Sequence, residues 1–136
     1  MKSYVIDSYA MIALFENEPG AEIVADVLNA LMKRQAKAFM SVINWGEIYY
    51  NTMRVQGIKK AEEVISQFKK YPIQLVPADQ DLTYEAAKLK GEYKTAYADC
   101  FAAALSIKHK APVITGDPEF RKLEPEISIQ WIVDVS

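Results

Sequence analysis

Cysteine and histidine are nearly missing from this 136-residue sequence: Cys100 and His109 are the only ones. A single cysteine excludes an internal disulfide, and no second Cys or His stands at ligand spacing from His109, which argues against zinc. Cys100 falls in an apolar stretch and reads as a small core thiol, not a nucleophile. His109 reads as a solvated residue in the last turn of a helix, where positive charge suits the dipole. Long apolar runs are absent as well, and none approaches the eighteen or so residues that span a bilayer. The opening MKSYVIDSYA has one lysine and meets an aspartate too early for the core of a signal peptide, so the expected location is cytoplasmic. Charge of one sign is not in excess: the formal net charge is -2, which alone argues against a general polyanion binder. Neither a Gly-rich phosphate loop nor a dinucleotide fingerprint occurs, and there is no linker, repeat or low-complexity segment.

What is present is an alternation of short β-branched runs and amphipathic stretches. Half the residues are hydrophobic and a quarter charged, which fits a single globular domain over residues 1–136. Strands are expected over 2–6, 38–43, 73–76, 113–115 and 127–133. Helices are expected over 9–15, 21–35, from an Asn44 N-cap onward, from Ile58 to Phe68, over 79–93 and over 98–109, with one turn at 118–123. Such alternation predicts an α/β sandwich with a mainly parallel sheet of about five strands.

In a parallel sheet each covering helix runs antiparallel to the strands, so strand C-termini and helix N-termini share an edge. Asp7 and Asp117 each follow a strand directly. Glu47 and Asp99 each fall in the expected first turn of a helix. Taken singly, each acid is explained as a cap, a dipole partner or a turn residue. Taken together, four carboxylates at one edge repel unless cations compensate them. An all-oxygen donor set favours Mg²⁺ or Mn²⁺ over zinc. Such a site can polarise water for attack on a phosphodiester, and an open edge without a phosphate loop suits a polymeric substrate. Without the four acids the chain is mildly basic, and Arg54, Lys59, Lys60, Lys69, Lys70, Arg121 and Lys122 are candidate phosphate contacts or simply a solvated face.

The segments YVIDSYAMIALF, SVINWGEIYY and YADCFAAALSIKHKAPVITGDPEF carry these acids in order. The chain resembles the PIN-domain ribonucleases over essentially its whole length, and among them the VapC-type toxins of toxin–antitoxin pairs. That resemblance implies a three-layer α/β/α PIN-like fold with sheet order 3-2-1-4-5. It also implies Mg²⁺- or Mn²⁺-dependent endoribonuclease activity on an RNA substrate, a homodimer, and a cognate antitoxin protein that inserts into the site. The family's catalytic and metal-binding acids carry onto Asp7, Glu47, Asp99 and Asp117, with Ser8 and Thr115 as polar supports. Ala96 departs from the pattern, because many relatives place a serine there; a local hydrogen bond to the third acid is in question. No appended zinc ribbon is present, which disfavours the ribosome-processing relatives.

Two other readings stand beside the nuclease. One is a catalytically weak PIN module that mainly binds a partner protein or RNA. The other is a sheet-edge phosphatase, which the sequence disfavours because Asp7 is followed by Ser8 and Tyr9 and so lacks the paired Asp-x-Asp. Trp45, Tyr49 and Tyr50 are either core residues or a surface for bases or an antitoxin.

Overall fold

A computed structural model describes residues 1–135; Ser136, the last residue of the expected domain, lies outside the described residues. Among the described residues five strands form one sheet in the order β3-β2-β1-β4-β5, all pairs parallel. The strands are β1 (Lys2–Ile6), β2 (Ala36–Ser41), β3 (Ile73–Val76), β4 (Val113–Thr115) and β5 (Ile129–Trp131). Between them run α1 (Ser8–Phe15), α2 (Ala21–Met32), α3 (Val42–Gln56), α4 (Ile58–Phe68), α5 (Gln80–Glu92) and α6 (Tyr97–His109), with a 3₁₀ helix at Pro118–Leu123. The expected α/β/α fold and strand order are therefore present.

Alternation along the strands splits the core into two layers, because successive side chains point to opposite faces. Ile6, Ala38, Met40 and Ile114 pack with Val24, Leu28, Val64 and Phe68 of α2 and α4. Val5, Phe39 and Val113 pack on the other face with Leu82, Leu89, Phe101 and Leu105 of α5 and α6. Both faces are thus covered, which is why the buried middles of the central strands, Val5 and Ile6, Ala38 to Met40, and Val113 and Ile114, are apolar throughout. No helix of the described residues is long and apolar enough to cross a membrane.

The junction of β2 and α3 corrects the sequence reading. Val42 and Ile43, β-branched and apolar, were expected to finish a strand with Asn44 as the cap. Instead Ser41 is the N-cap: its Oγ accepts a hydrogen bond from the Ile43 N–H at 3.1 Å, and Val42 begins the helix. Asn44 is consequently a buried residue inside the first turn, and Glu47 sits in the second turn, not the first. A hydroxyl that can satisfy a free helix N–H outweighs the strand preference of two residues.

Ends differ elsewhere. α2 stops at Met32 because Arg34 takes a left-handed φ of 58°. His109 is not simply solvated: its ring stacks on Phe39 at 3.8 Å with planes 6° apart, and burial lowers its pKa. Cys100 is buried as expected, and burial pushes its thiol pKa up.

Candidate active site

Two strand ends and the N-terminal turns of two helices deliver the four acids to the C-terminal edge of the sheet. Asp7 ends β1 and caps α1, its Oδ1 accepting the Ala10 N–H at 2.9 Å. Asp117 follows β4 and caps the 3₁₀ helix, accepting the Glu119 N–H at 2.9 Å. Asp99 lies in the first turn of α6, and Glu47 projects from the second turn of α3. All four line one cleft of about 330 Å³, together with Ser8, Tyr9 and Glu119. A larger hollow of about 570 Å³, beside Ser106, Lys110 and Glu126, lies at the other end of the strands and has no such cluster.

Polar side chains hold the acids in place. Thr115, fully buried on β4, donates from Oγ1 to Asp7 Oδ2 at 2.5 Å and accepts the Asp117 N–H at 3.0 Å. Ser8 Oγ donates to Glu47 Oε1 at 3.0 Å, and Asn44 Nδ2 donates to the same oxygen at 3.1 Å. The Asn44 amide also donates to the Ala98 carbonyl at 3.2 Å, which ties α3 to the start of α6 beside Asp99. Thr95 Oγ1 donates to Asp99 Oδ2 at 3.3 Å.

Burial and crowding leave two of these acids reluctant to ionise. Asp7 is pushed up to about 8, chiefly by burial; its bonds from Thr115 and Ala10 oppose this, while Asp99 and Asp117 add to it. Asp99 is pushed up to about 7, again chiefly by burial and then by Asp117 and Glu47. No lysine or arginine lines the cleft among the described residues. Among those residues no three acidic, Cys or His side chains draw together tightly enough to hold an ion unaided. The donors are all oxygens and their repulsion is uncompensated, so the cleft fits a hard divalent cation that keeps part of its water shell.

The PIN domain family model matches residues 4–124. The chain belongs to the PIN domain family. No curated protein matches it. Among solved structures, a Rickettsia felis VapBC complex bound to a promoter DNA fragment is similar at a TM-score of 0.74, with 15% identity over 94% of this chain and 97% of that one. VapBC-1 of nontypeable Haemophilus influenzae gives 0.70 at 18% identity, covering 97% and 99%. A Mycobacterium tuberculosis VapC toxin, described as cleaving the sarcin-ricin loop, gives 0.68 at 14% identity, covering 88% and 93%. The fold is that of the VapC toxins.

Within this PIN domain the polar supports include residues that sequence reasoning passed over. Asn44 was assigned to a cap; its spacing of three from Glu47, one helical turn, was the available signal. Thr95, four residues before Asp99, supplies a hydrogen bond from one position before Ala96. Glu18 and Glu119 add a fifth and a sixth carboxylate to the cleft, and Glu119 pairs with Lys122 at 2.8 Å. None of the seven candidate phosphate contacts lines the cleft. Lys69 and Lys70 border a separate hollow with Arg34, and Arg54 lies over the Tyr50 ring at 5.1 Å. Trp45 packs on the core, whereas Tyr50 is exposed and its hydroxyl lies 3.5 Å from Glu47.

Proposed function

We propose that this PIN domain is a divalent-metal-dependent endoribonuclease, the toxin of a toxin–antitoxin pair, occupying residues 1–136 as one domain. The observation that carries the reading is the convergence of Asp7, Glu47, Asp99 and Asp117 in one cleft without a compensating cation among its side chains. These four would hold Mg²⁺ or Mn²⁺. Bound there, the ion would acidify a coordinated water and offset charge on the phosphoryl oxygens. The chain's own part is positional. Thr115 fixes Asp7 against the turn of Asp117, Ser8 and Asn44 aim Glu47, and Thr95 orients Asp99.

Further support comes from similarity of fold to VapBC complexes and to a VapC toxin described as cleaving the sarcin-ricin loop. A cognate antitoxin protein, a homodimer and a cytoplasmic location complete the proposal. The test is cleavage of a labelled RNA with Mg²⁺ or Mn²⁺ and its loss with EDTA. Asp99→Asn, in a protein that stays folded, should abolish cleavage; persistence would sink the site assignment. A second reading, a catalytically weak module that mainly binds protein or RNA, is favoured by the looseness of the acid group. Calorimetric titration with Mn²⁺ separates the two, since the weak module should take up no metal.

A further inference from the structure

Among the described residues Tyr9 is the one aromatic side chain lining the acid cleft, and it is 39% exposed. Its position is set by a glycine. A Cβ at Gly116 would lie 2.4 Å from Tyr9 Cε1 and 3.0 and 3.1 Å from Val133 and Ile132. The backbone of Gly116 is not left-handed, so its conformation does not call for glycine; the space taken by these side chains does. One edge of the ring therefore rests on bare backbone in the turn that carries Asp117, while much of the side chain stays open beside the carboxylates.

We propose that Tyr9 is a stacking platform for a single unpaired base of the RNA cut at the four acids, so that single strands and loops are bound in preference to duplex. This rests on the nuclease reading above. No lysine or arginine lines the cleft among the described residues, so its side chains add little attraction for the phosphate backbone, and a contact to a base supplies grip on the nucleotide that they do not. An aromatic face does so for any base, because every base presents a π surface. A base inside a duplex first has to leave its stack, which favours loops and ends.

The test is fluorescence anisotropy of a labelled oligoribonucleotide, single-stranded and then annealed to its complement, on the unaltered chain, Tyr9→Leu and Tyr9→Phe. Stacking predicts tighter binding of the single strand, a loss of about fivefold or more in Tyr9→Leu, and recovery of most of that loss in Tyr9→Phe. In cleavage assays the Tyr9→Leu loss falls on KM and not on kcat. A single abasic nucleotide beside the cut bond weakens binding to the unaltered chain but adds no loss in Tyr9→Leu. Thermal melts check that Tyr9→Leu is folded, and the abasic arm on the unaltered chain needs no variant. Equal abasic losses in both proteins, equal duplex binding, or a fall in kcat alone would overturn the proposal, the last showing that the ring only braces the turn of Asp117. If the unaltered chain binds single strands through Tyr9 yet cleaves none with Mn²⁺, the nuclease reading fails and the stacking role does not.

Discussion

Thr115 and Asp7 stand 108 positions apart in the chain and meet in a buried 2.5 Å hydrogen bond, hydroxyl to carboxylate. The same hydroxyl oxygen accepts the Asp117 N–H, so one side chain on β4 fixes both acids that leave the central strands. Thr115→Val keeps the shape and removes both bonds. Leaving a buried carboxylate and an N–H without their partner should cost about 2 kcal/mol of stability, read by urea unfolding. Because the Thr115 bond holds the Asp7 pKa down, the variant's Asp7 should also need a higher pH before it takes up Mn²⁺. Unchanged unfolding midpoints with unchanged metal uptake would show that the bond is incidental.

Burial of these acids gives the metal-free protein a definite pH response. Asp7 titrates near 3.8 when unfolded and near 8 when folded, and Asp99 moves from 3.8 to about 7. Both folded values are raised, so the stability they contribute is whole below pH 3.8 and is lost as pH climbs through 7 and 8. Each such proton is worth up to about 1.4 kcal/mol per pH unit across that window. Asp7→Asn removes the titration. Without metal it should therefore gain on the unaltered chain as pH rises from about 5 to 8, in thermal melts run side by side with EDTA. With Mn²⁺ the order should reverse, since the variant loses a donor. An advantage that stays flat with pH would contradict the buried-acid account.

The parallel sheet and the meeting of Asp7 with Asp117 were legible in the sequence because parallel topology sends every strand end to one edge, whatever the side-chain detail, whereas the strand order came from the resemblance to the PIN-domain family alone. The β2–α3 boundary was not. Val42 and Ile43 fit a strand or a helix, and only the Ser41 hydroxyl capping the Ile43 N–H decides between them. His109 misled for a different reason: its stacking on Phe39 joins the end of α6 to β2, a contact that no local pattern encodes. Asn44 was read as a cap, as short polar residues at helix starts are, and Thr95 was passed over because it precedes the helix that carries Asp99.

Gly57 separates α3 from α4 with φ 91° and ψ 172°, a conformation reserved for glycine. A Cβ there would meet nothing within 4 Å, so Gly57→Ala tests backbone strain free of any clash. The expected loss is about 1–3 kcal/mol in urea unfolding, with Mn²⁺ affinity unaltered because the joint lies far along α3 from Glu47. A stability loss accompanied by weaker metal binding would mean that the α3–α4 hairpin and the acid cleft are coupled.

Asn44 is the sharpest case of a site residue whose burden is visible in its bonding. Its amide N–H groups serve Glu47 and the Ala98 carbonyl, while its Oδ1 is the buried side-chain atom without a partner among the described residues. Turning the amide over would set Oδ1 against two acceptors, so the orientation is fixed by its neighbours. Asn44→Ala removes two hydrogen bonds and also the orphan oxygen, and the net cost should be about 1–2 kcal/mol. Asn44→Asp is the more severe change, because a carboxylate would face Glu47 and a carbonyl with nothing to donate; about 3 kcal/mol or more is expected near neutral pH, easing as pH falls and the new acid takes up a proton. Both variants should weaken Mn²⁺ binding in calorimetry through a freed Glu47. Should Asn44→Asp prove as stable as Asn44→Ala across that pH range, the amide would not be holding the α3–α6 junction in the way its hydrogen bonds indicate.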